Sequence, residues 1–168
     1  MGVVTGRGVS QDAQPQDAWP MKRIFESASE EETVAIGAAI AGLLRPPRML
    51  ILTGDLGAGK TTLVKGLVRA LEAGDEDSVT SPTFTLVHTY DGWQDDQPLQ
   101  VVHLDLYRLE SERQLATLGL TELMADDALV LVEWGEKFPS VAEMADGILC
   151  IEQPDLTHRR ITLEMREA

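Results

Sequence analysis

The stretch Met49-Leu50-Ile51-Leu52-Thr53-Gly54-Asp55-Leu56-Gly57-Ala58-Gly59-Lys60-Thr61-Thr62-Leu63-Val64 decides the fold. It opens on a short apolar run, Met49 to Leu52, typical of a strand buried on both faces. A glycine-rich loop follows. Beyond it Leu63, Val64, Leu67, Val68 and Leu71 recur at the spacing of one helical face. The segment from Gly54 to Thr61 fits G-x-x-x-x-G-K-[ST] at every fixed position. Glycines let backbone N–H groups turn inward and approach phosphate oxygens with no Cβ in the way. A helix starting near Lys60 aims its N-terminal dipole at the anion. Lys60 supplies a point charge for the β- and γ-phosphates, and the Thr61 hydroxyl is short enough to reach Mg²⁺. Strand, loop and helix in this order raise the motif above a chance match.

Working outward, Lys22–Ser27 reads as a short strand. Ser29 with Glu32 three residues on fits a capping box. A helix with Val34, Ile36, Ala38, Ala41 and Leu44 as its apolar positions ends at Arg45-Pro46-Pro47. Gly74–Asp77 reads as an acidic loop. Downstream, 84–90 and 99–106 read as two strands joined by a turn around Asp91-Gly92. A helical segment covers 111–118, a second buried strand 128–132, a short helix 139–145, and late strands 147–152 and 160–164. The order predicts an α/β three-layer domain of the P-loop NTPase kind, with a mixed, largely parallel central sheet. The expected organisation is a disordered tail over 1–20, rich in Gly, Gln, Asp and Pro, before one domain over 21–168.

A magnesium-dependent phosphate site needs a carboxylate at the end of a buried strand. Asp105, after Val101-Val102-His103-Leu104, and Glu133, after Leu129-Val130-Leu131-Val132, both qualify, and spacing does not choose between them. His103, between apolar neighbours, reads as a structural histidine rather than a base. Trp134 is either packing or an interface anchor. Ser81-Pro82-Thr83 is either a plain turn or a loop that senses the γ-phosphate or Mg²⁺. The chain contains no asparagine, so the Asn-Lys-x-Asp signature for guanine is absent and adenine is the expected base. ATP and Mg²⁺ are the expected ligands.

Hydrophobic residues make up 43% of the 168, charged residues 25% and aromatics 5%, which describes a globular chain with an aliphatic core. The net charge of -14 disfavours a free-standing grip on nucleic acid, because such grips need Lys and Arg against phosphates. With one cysteine, Cys150, there is no internal disulfide, and its apolar run suggests a buried thiol. No run approaches a membrane span and no signal-peptide pattern is present, so the expected location is cytoplasmic, without membrane contact.

Four motifs in order resemble the TsaE (YjeE) family. They are Gly54–Thr62, Thr80-Ser81-Pro82-Thr83-Phe84-Thr85, His103-Leu104-Asp105-Leu106-Tyr107-Arg108-Leu109 and Val132-Glu133-Trp134. The resemblance spans about residues 23–164. It implies a small ATPase that works with the TsaB and TsaD proteins, which transfer threonylcarbamoyl to the adenosine next to the anticodon, position 37. The resemblance further implies that the ATPase resets the complex and meets tRNA only indirectly. Carried over, Thr61 and Glu133 hold the metal, Asp105 positions or activates the attacking water, and Lys60 and the loop Gly54–Thr62 hold the nucleotide. The segment 81–85 resembles a switch loop, and Trp134 and Tyr107-Arg108 resemble nucleotide-responsive or partner-facing groups. Gly135 departs from the family's frequent proline. No motif marks the base pocket; the helix start near Ser29 and the segment 156–159 are the candidates. A stand-alone small-molecule kinase needs a clustered arginine lid, and the arginines after Lys60 are scattered. A non-catalytic nucleotide-switched binding module is the third reading.

Overall fold

The computed structural model describes residues 19–55, 57–74, 79 and 87–166. The strands are β1 (Met21–Ser27), β2 (Arg48–Thr53), β3 (Val87–Gln94), β4 (Gln97–Asp105), β5 (Ala128–Glu133), β6 (Gly147–Glu152) and β7 (Arg159–Met165). They form one sheet in the order β1-β7-β6-β2-β5-β4-β3. The four central strands, β6, β2, β5 and β4, run parallel. β3 pairs antiparallel at one edge, and β7 and β1 extend the other edge antiparallel. The sheet is therefore mixed and parallel at its centre, as the sequence predicts.

The apolar runs explain the layering. Leu50 and Leu52 of β2, with Leu129 and Leu131 of β5, join an apolar cluster with residues of α1 (Glu30–Ala41) and α2 (Lys60–Ala70). Met49 and Ile51, with Val130 and Val132, face the opposite way. They meet Leu115 of α3 (Glu112–Thr117), Leu120 of α4 (Leu120–Leu123) and Val141 of α5 (Pro139–Met144). A strand with helices on both faces has no polar side to offer, which is why its sequence does not alternate. Leu50 is fully buried. Truncating it to Ala would cost about 2–5 kcal/mol, a large part of the about 5–15 kcal/mol that holds a domain together.

α1 begins as the sequence suggests. Ser29 Oγ accepts from Glu32 N at 3.1 Å, and Glu32 Oε1 reaches back to Ala28 N at 2.6 Å. Its buried face differs from expectation: Thr33, Gly37, Ile40 and Ala41 are inward, and Ala38 is exposed. The reason is close backbone packing. A Cβ on Gly37 would strike the Leu63 carbonyl, and one on Gly66 would strike the Val34 carbonyl. The two helices meet glycine to backbone, and this contact sets the middle of α2 directly against that of α1.

The β3–β4 turn also lies elsewhere than expected. Gly92 sits within β3 opposite Leu99, and the chain reverses at Asp95-Asp96, with Gln94 opposite Gln97. Both aspartates have positive φ, 51° and 64°, as a two-residue hairpin turn with the sheet's own twist requires. Gly92 is needed for another reason: a Cβ there would lie 2.8 Å from the Ala73 side chain. β3 begins at Val87, so the first part of the expected strand 84–90 lies outside the described residues, as do the tail over 1–18 and the loop over 75–78. α4 has no counterpart in the sequence reading. Cys150 is half-buried rather than buried, because it faces outward in the alternating pattern of β6. No helix among the described residues is long and apolar enough to cross a membrane.

Candidate functional site

The carboxyl ends of the parallel strands meet the start of α2, the usual place for a ligand in an open α/β sheet. β2 ends at Thr53, and the loop from Gly54 leads into Lys60, the first residue of α2. Gly54, Gly57 and Gly59 all have positive φ, at 153°, 83° and 111°. At Gly54 a Cβ would lie 2.6 Å from the Ile151 carbonyl oxygen, so only glycine lets the loop pass so near β6. Gly59 caps α2 with no side-chain hydrogen bond, and the first turn carries no acidic residue. The helix therefore keeps its unpaired N–H groups and positive dipole end for an external anion. Leu56 lies outside the described residues; Asp55 accepts from Ala58 N at 3.0 Å and so closes the loop.

Lys60 runs back along the loop. Its Nζ donates to the Gly54 carbonyl at 2.8 Å and lies 3.4 Å from Glu133 Oε1. Glu133 ends β5, directly beside β2, and pairs in register with Leu52 on one side and Asp105 on the other. Register partners on parallel strands share a face. Both carboxylates therefore stand on the side of the sheet that α2 covers. Asp105 is buried, and its Oδ1 accepts from Tyr107 N at 2.9 Å. His103, two residues before Asp105, is fully buried, and its Nε2 lies 2.7 Å from Glu133 Oε2. Burial pushes the Glu133 carboxyl up, but the His103 hydrogen bond and the nearby His103 and Lys60 nitrogens outweigh it and hold the carboxyl below its ordinary range. Glu133 is thus a buried carboxylate kept ionised next to the phosphate loop.

The donor set fits a nucleotide with a hard divalent cation. Lys60, the α2 N-terminus and the Thr61 and Thr62 hydroxyls suit phosphate oxygens. Thr61 and Glu133 offer oxygen ligands of the kind Mg²⁺ prefers. Among the described residues no group of three or more His, Cys, Asp or Glu is arranged to hold a metal. A cation here would complete its shell with phosphate and water, as Mg²⁺ does at nucleotide sites.

Two regions that the sequence reading left open come together. The start of α1 (Ala28, Ser29, Glu30, Thr33) and the β6–β7 loop (Leu156, Thr157, Arg159) line one cleft of about 410 Å³ with Gly57, Gly59 and Thr62. Arg159, which the sequence leaves among scattered arginines, donates from Nε to the Ala58 carbonyl at 2.6 Å. It ties the late loop to the phosphate loop across 101 positions of chain. The loop is shaped by Asp155, whose Oδ1 accepts from Thr157 N and His158 N, both at 2.9 Å.

On the other flank, Tyr107 and Trp134 touch, with ring centroids 5.2 Å apart and planes at 54°. Their exposures are 57% and 39%. Trp134 stands at φ 65° at the mouth of a short 3₁₀ turn, Gly135–Lys137. Lys137 Nζ donates to the Tyr107 and Leu109 carbonyls at 2.8 and 2.9 Å, fixing the chain between Asp105 and α3. The segment 80–86 lies outside the described residues.

With this geometry in view, the similarities to known proteins are specific. A family model described as threonylcarbamoyl adenosine biosynthesis protein TsaE matches residues 27–163. The tRNA threonylcarbamoyladenosine biosynthesis protein TsaE of Bacillus subtilis is 41% identical over 115 residues, 68% of this chain and 68% of that protein. That of Rickettsia bellii is 39% identical over 108 residues, 64% of this chain and 71% of the relative. That of Aquifex aeolicus is 36% identical over 135 residues, covering 80% and 90%. Among solved structures, the crystal structure of Bacillus subtilis YdiB superposes with a TM-score of 0.61 at 28% identity, covering 86% of each chain.

Proposed function

The chain belongs to the TsaE family of threonylcarbamoyl adenosine biosynthesis proteins, and from that premise we propose that it is the Mg²⁺-dependent ATPase subunit of the tRNA threonylcarbamoyladenosine machinery, acting with TsaB and TsaD. The observation that carries the reading is a glycine loop whose lysine lies 3.4 Å from a buried, ionised carboxylate on the neighbouring strand.

Each residue has a task that follows from its position. Lys60 needs only to turn from the Gly54 carbonyl to meet β- and γ-phosphate oxygens, because its Nζ already lies against the loop. Thr61 and Glu133 would hold Mg²⁺. The cation, when bound, offsets charge on the phosphates during transfer to water. Asp105, beside Glu133 in register, is the carboxylate left to position or activate the attacking water. The cleft between the start of α1 and the β6–β7 loop is the space for adenosine, with Leu156 and the Thr33 side of α1 as its walls.

The aromatic pair stands just after these two carboxylates in sequence, Tyr107 two residues past Asp105 and Trp134 next to Glu133. Any shift of Asp105 or Glu133 between nucleotide states passes into an exposed apolar patch, the kind of surface a partner protein grips. A chain of net charge -14 leaves the grip on tRNA to TsaB and TsaD. The test is phosphate release from ATP, measured for the chain alone and with TsaB and TsaD. Slow release alone and a clear rise with partners is expected. Fast turnover that ignores the partners would overturn the assignment.

A further inference from the structure

We propose that His103 is a positioning residue for Glu133: it fixes one carboxylate oxygen, so that the other alone serves the phosphate loop. The inference rests on the reading of Glu133 as the carboxylate that holds the cation.

The geometry divides Glu133 between two unlike partners. Oε2 meets His103 Nε2 at 2.7 Å, and Oε1 faces Lys60 Nζ at 3.4 Å. A carboxylate only accepts, so Nε2 is the donor. His103 sits on β4 with Leu131 as its register partner, two residues before Glu133 on β5. Its ring therefore reaches Glu133 along one face of the sheet. The ring is fully buried, which gives it no room to move. Lys60 differs: its side chain is partly exposed, carried on the first turn of α2, with four torsions to turn.

One partner is fixed and one can leave. When Lys60 turns toward an anion, Oε1 is uncovered while Oε2 stays held. The carboxylate then waits in place for a cation instead of following the lysine. With His103 gone, Lys60 would be the one cation still facing this carboxylate in the described geometry, and Glu133 would move with it. Among the described residues His103 Nδ1 has no hydrogen-bond partner. The ring spends its single hydrogen bond on Glu133, and nothing else polar is gained by burying it. Burying a polar ring half-satisfied is costly, which a merely space-filling residue would avoid.

The experiment compares His103→Leu and His103→Gln by calorimetry of ATP binding, in EDTA and in Mg²⁺. Residues that orient a metal ligand typically change metal affinity about 10–100-fold when lost. The expected result for His103→Leu is that the Mg²⁺-dependent gain in ATP affinity falls by that factor, while affinity in EDTA stays within about twofold. His103→Gln, whose amide can still donate to Oε2, recovers most of the gain. An unchanged gain in His103→Leu, an equal loss in EDTA and Mg²⁺, or no recovery with Gln would each overturn the proposal. If His103→Leu does not fold, His103→Asn takes its place: its shorter amide falls short of Glu133 and must behave as Leu is expected to. A second readout needs no nucleotide. Imidazole ¹⁵N spectra of the free protein should show a hydrogen-bonded Nε2–H on His103 that shifts in Glu133→Gln. An unmoved resonance overturns the pairing. If the unaltered chain shows no Mg²⁺-dependent ATP affinity, the ATPase reading fails, and these spectra alone decide on His103.

Discussion

Replacing Lys60 by Met keeps the apolar stem and removes the charge, and its consequences follow from two contacts. Lys60 Nζ donates to the Gly54 carbonyl at 2.8 Å and lies 3.4 Å from Glu133 Oε1. A hydrogen bond to a charged group contributes about 1.5–3 kcal/mol. At about 1.4 kcal/mol per tenfold, losing one to phosphate lowers ATP affinity by about 10–150-fold. The free protein supplies a counterweight. Wild-type Lys60 gives up both contacts when it turns to the phosphates, and the variant has none to give up, so the net loss should fall toward the lower end. The same change leaves Glu133 with His103 as its remaining partner in this geometry. A buried carboxylate that loses a charged partner destabilises the fold, here by about 1–3 kcal/mol. Two measurements separate the effects: calorimetry of ATP with Mg²⁺, and urea unfolding of the free protein. Affinity within about twofold of wild type in a natively folded variant would refute the phosphate-loop assignment. Unchanged stability would refute the Lys60–Glu133 pairing as a feature of the free protein.

Thr61→Ala should weaken Mg²⁺-dependent ATP binding about tenfold, whereas Asp105→Asn should leave it nearly intact and slow single-turnover hydrolysis in the partner complex by about 10²–10⁴, the range for a positioned base; the reverse pattern would exchange their roles. Arg159→Ala removes the Nε bond to the Ala58 carbonyl, a contact of about 0.5–1.5 kcal/mol, and should lower ATP affinity about 2–10-fold by calorimetry, whereas wild-type affinity would mean the tether leaves the loop indifferent. Trp134→Ala should impair tRNA modification in a system reconstituted with TsaB and TsaD while sparing ATP affinity, and full modification would exclude the aromatic pair as a docking surface. The Asp155 carboxyl is held at about 2, against an ordinary 3.8, first by the His158 side chain and then by the Thr157 backbone. A depressed carboxyl supports the loop fully above pH 3.8 and loses that support as pH falls through about 2, so the Thr157 and His158 amide resonances should move over that interval and stay still in Asp155→Asn.

The parts of this molecule legible in the chain are those where one segment decides its own structure. The run Met49–Leu52 is apolar because helices cover both of its faces, and the G-x-x-x-x-G-K-T loop carries its backbone requirements in its glycines. The Ser29–Glu32 capping box is likewise a bargain struck within four residues. Local signals misled where a distant contact set the requirement. Asp91-Gly92 has the look of a hairpin turn, yet Gly92 is small because Leu71 and Ala73 press on the strand there. The turn falls at Asp95-Asp96, where neither residue advertises a positive φ as glycine would.

The site itself depends on register, which sequence spacing does not contain. Asp105 and Glu133 look like alternative metal carboxylates when each is read at the end of its own strand. Parallel pairing of β4 with β5 sets them side by side. The same register brings His103 to one oxygen of Glu133 and leaves Asp105 bonded to the Tyr107 amide. The two carboxylates are thereby made unlike: one is held from both sides between a fixed imidazole and a movable ammonium, the other is fastened to the segment that carries the exposed aromatics. Such a difference suits separate tasks, a cation ligand and a group that feels the reacting water and reports to the surface. It arises because two apolar strands, which reveal nothing of function, align one residue for one residue.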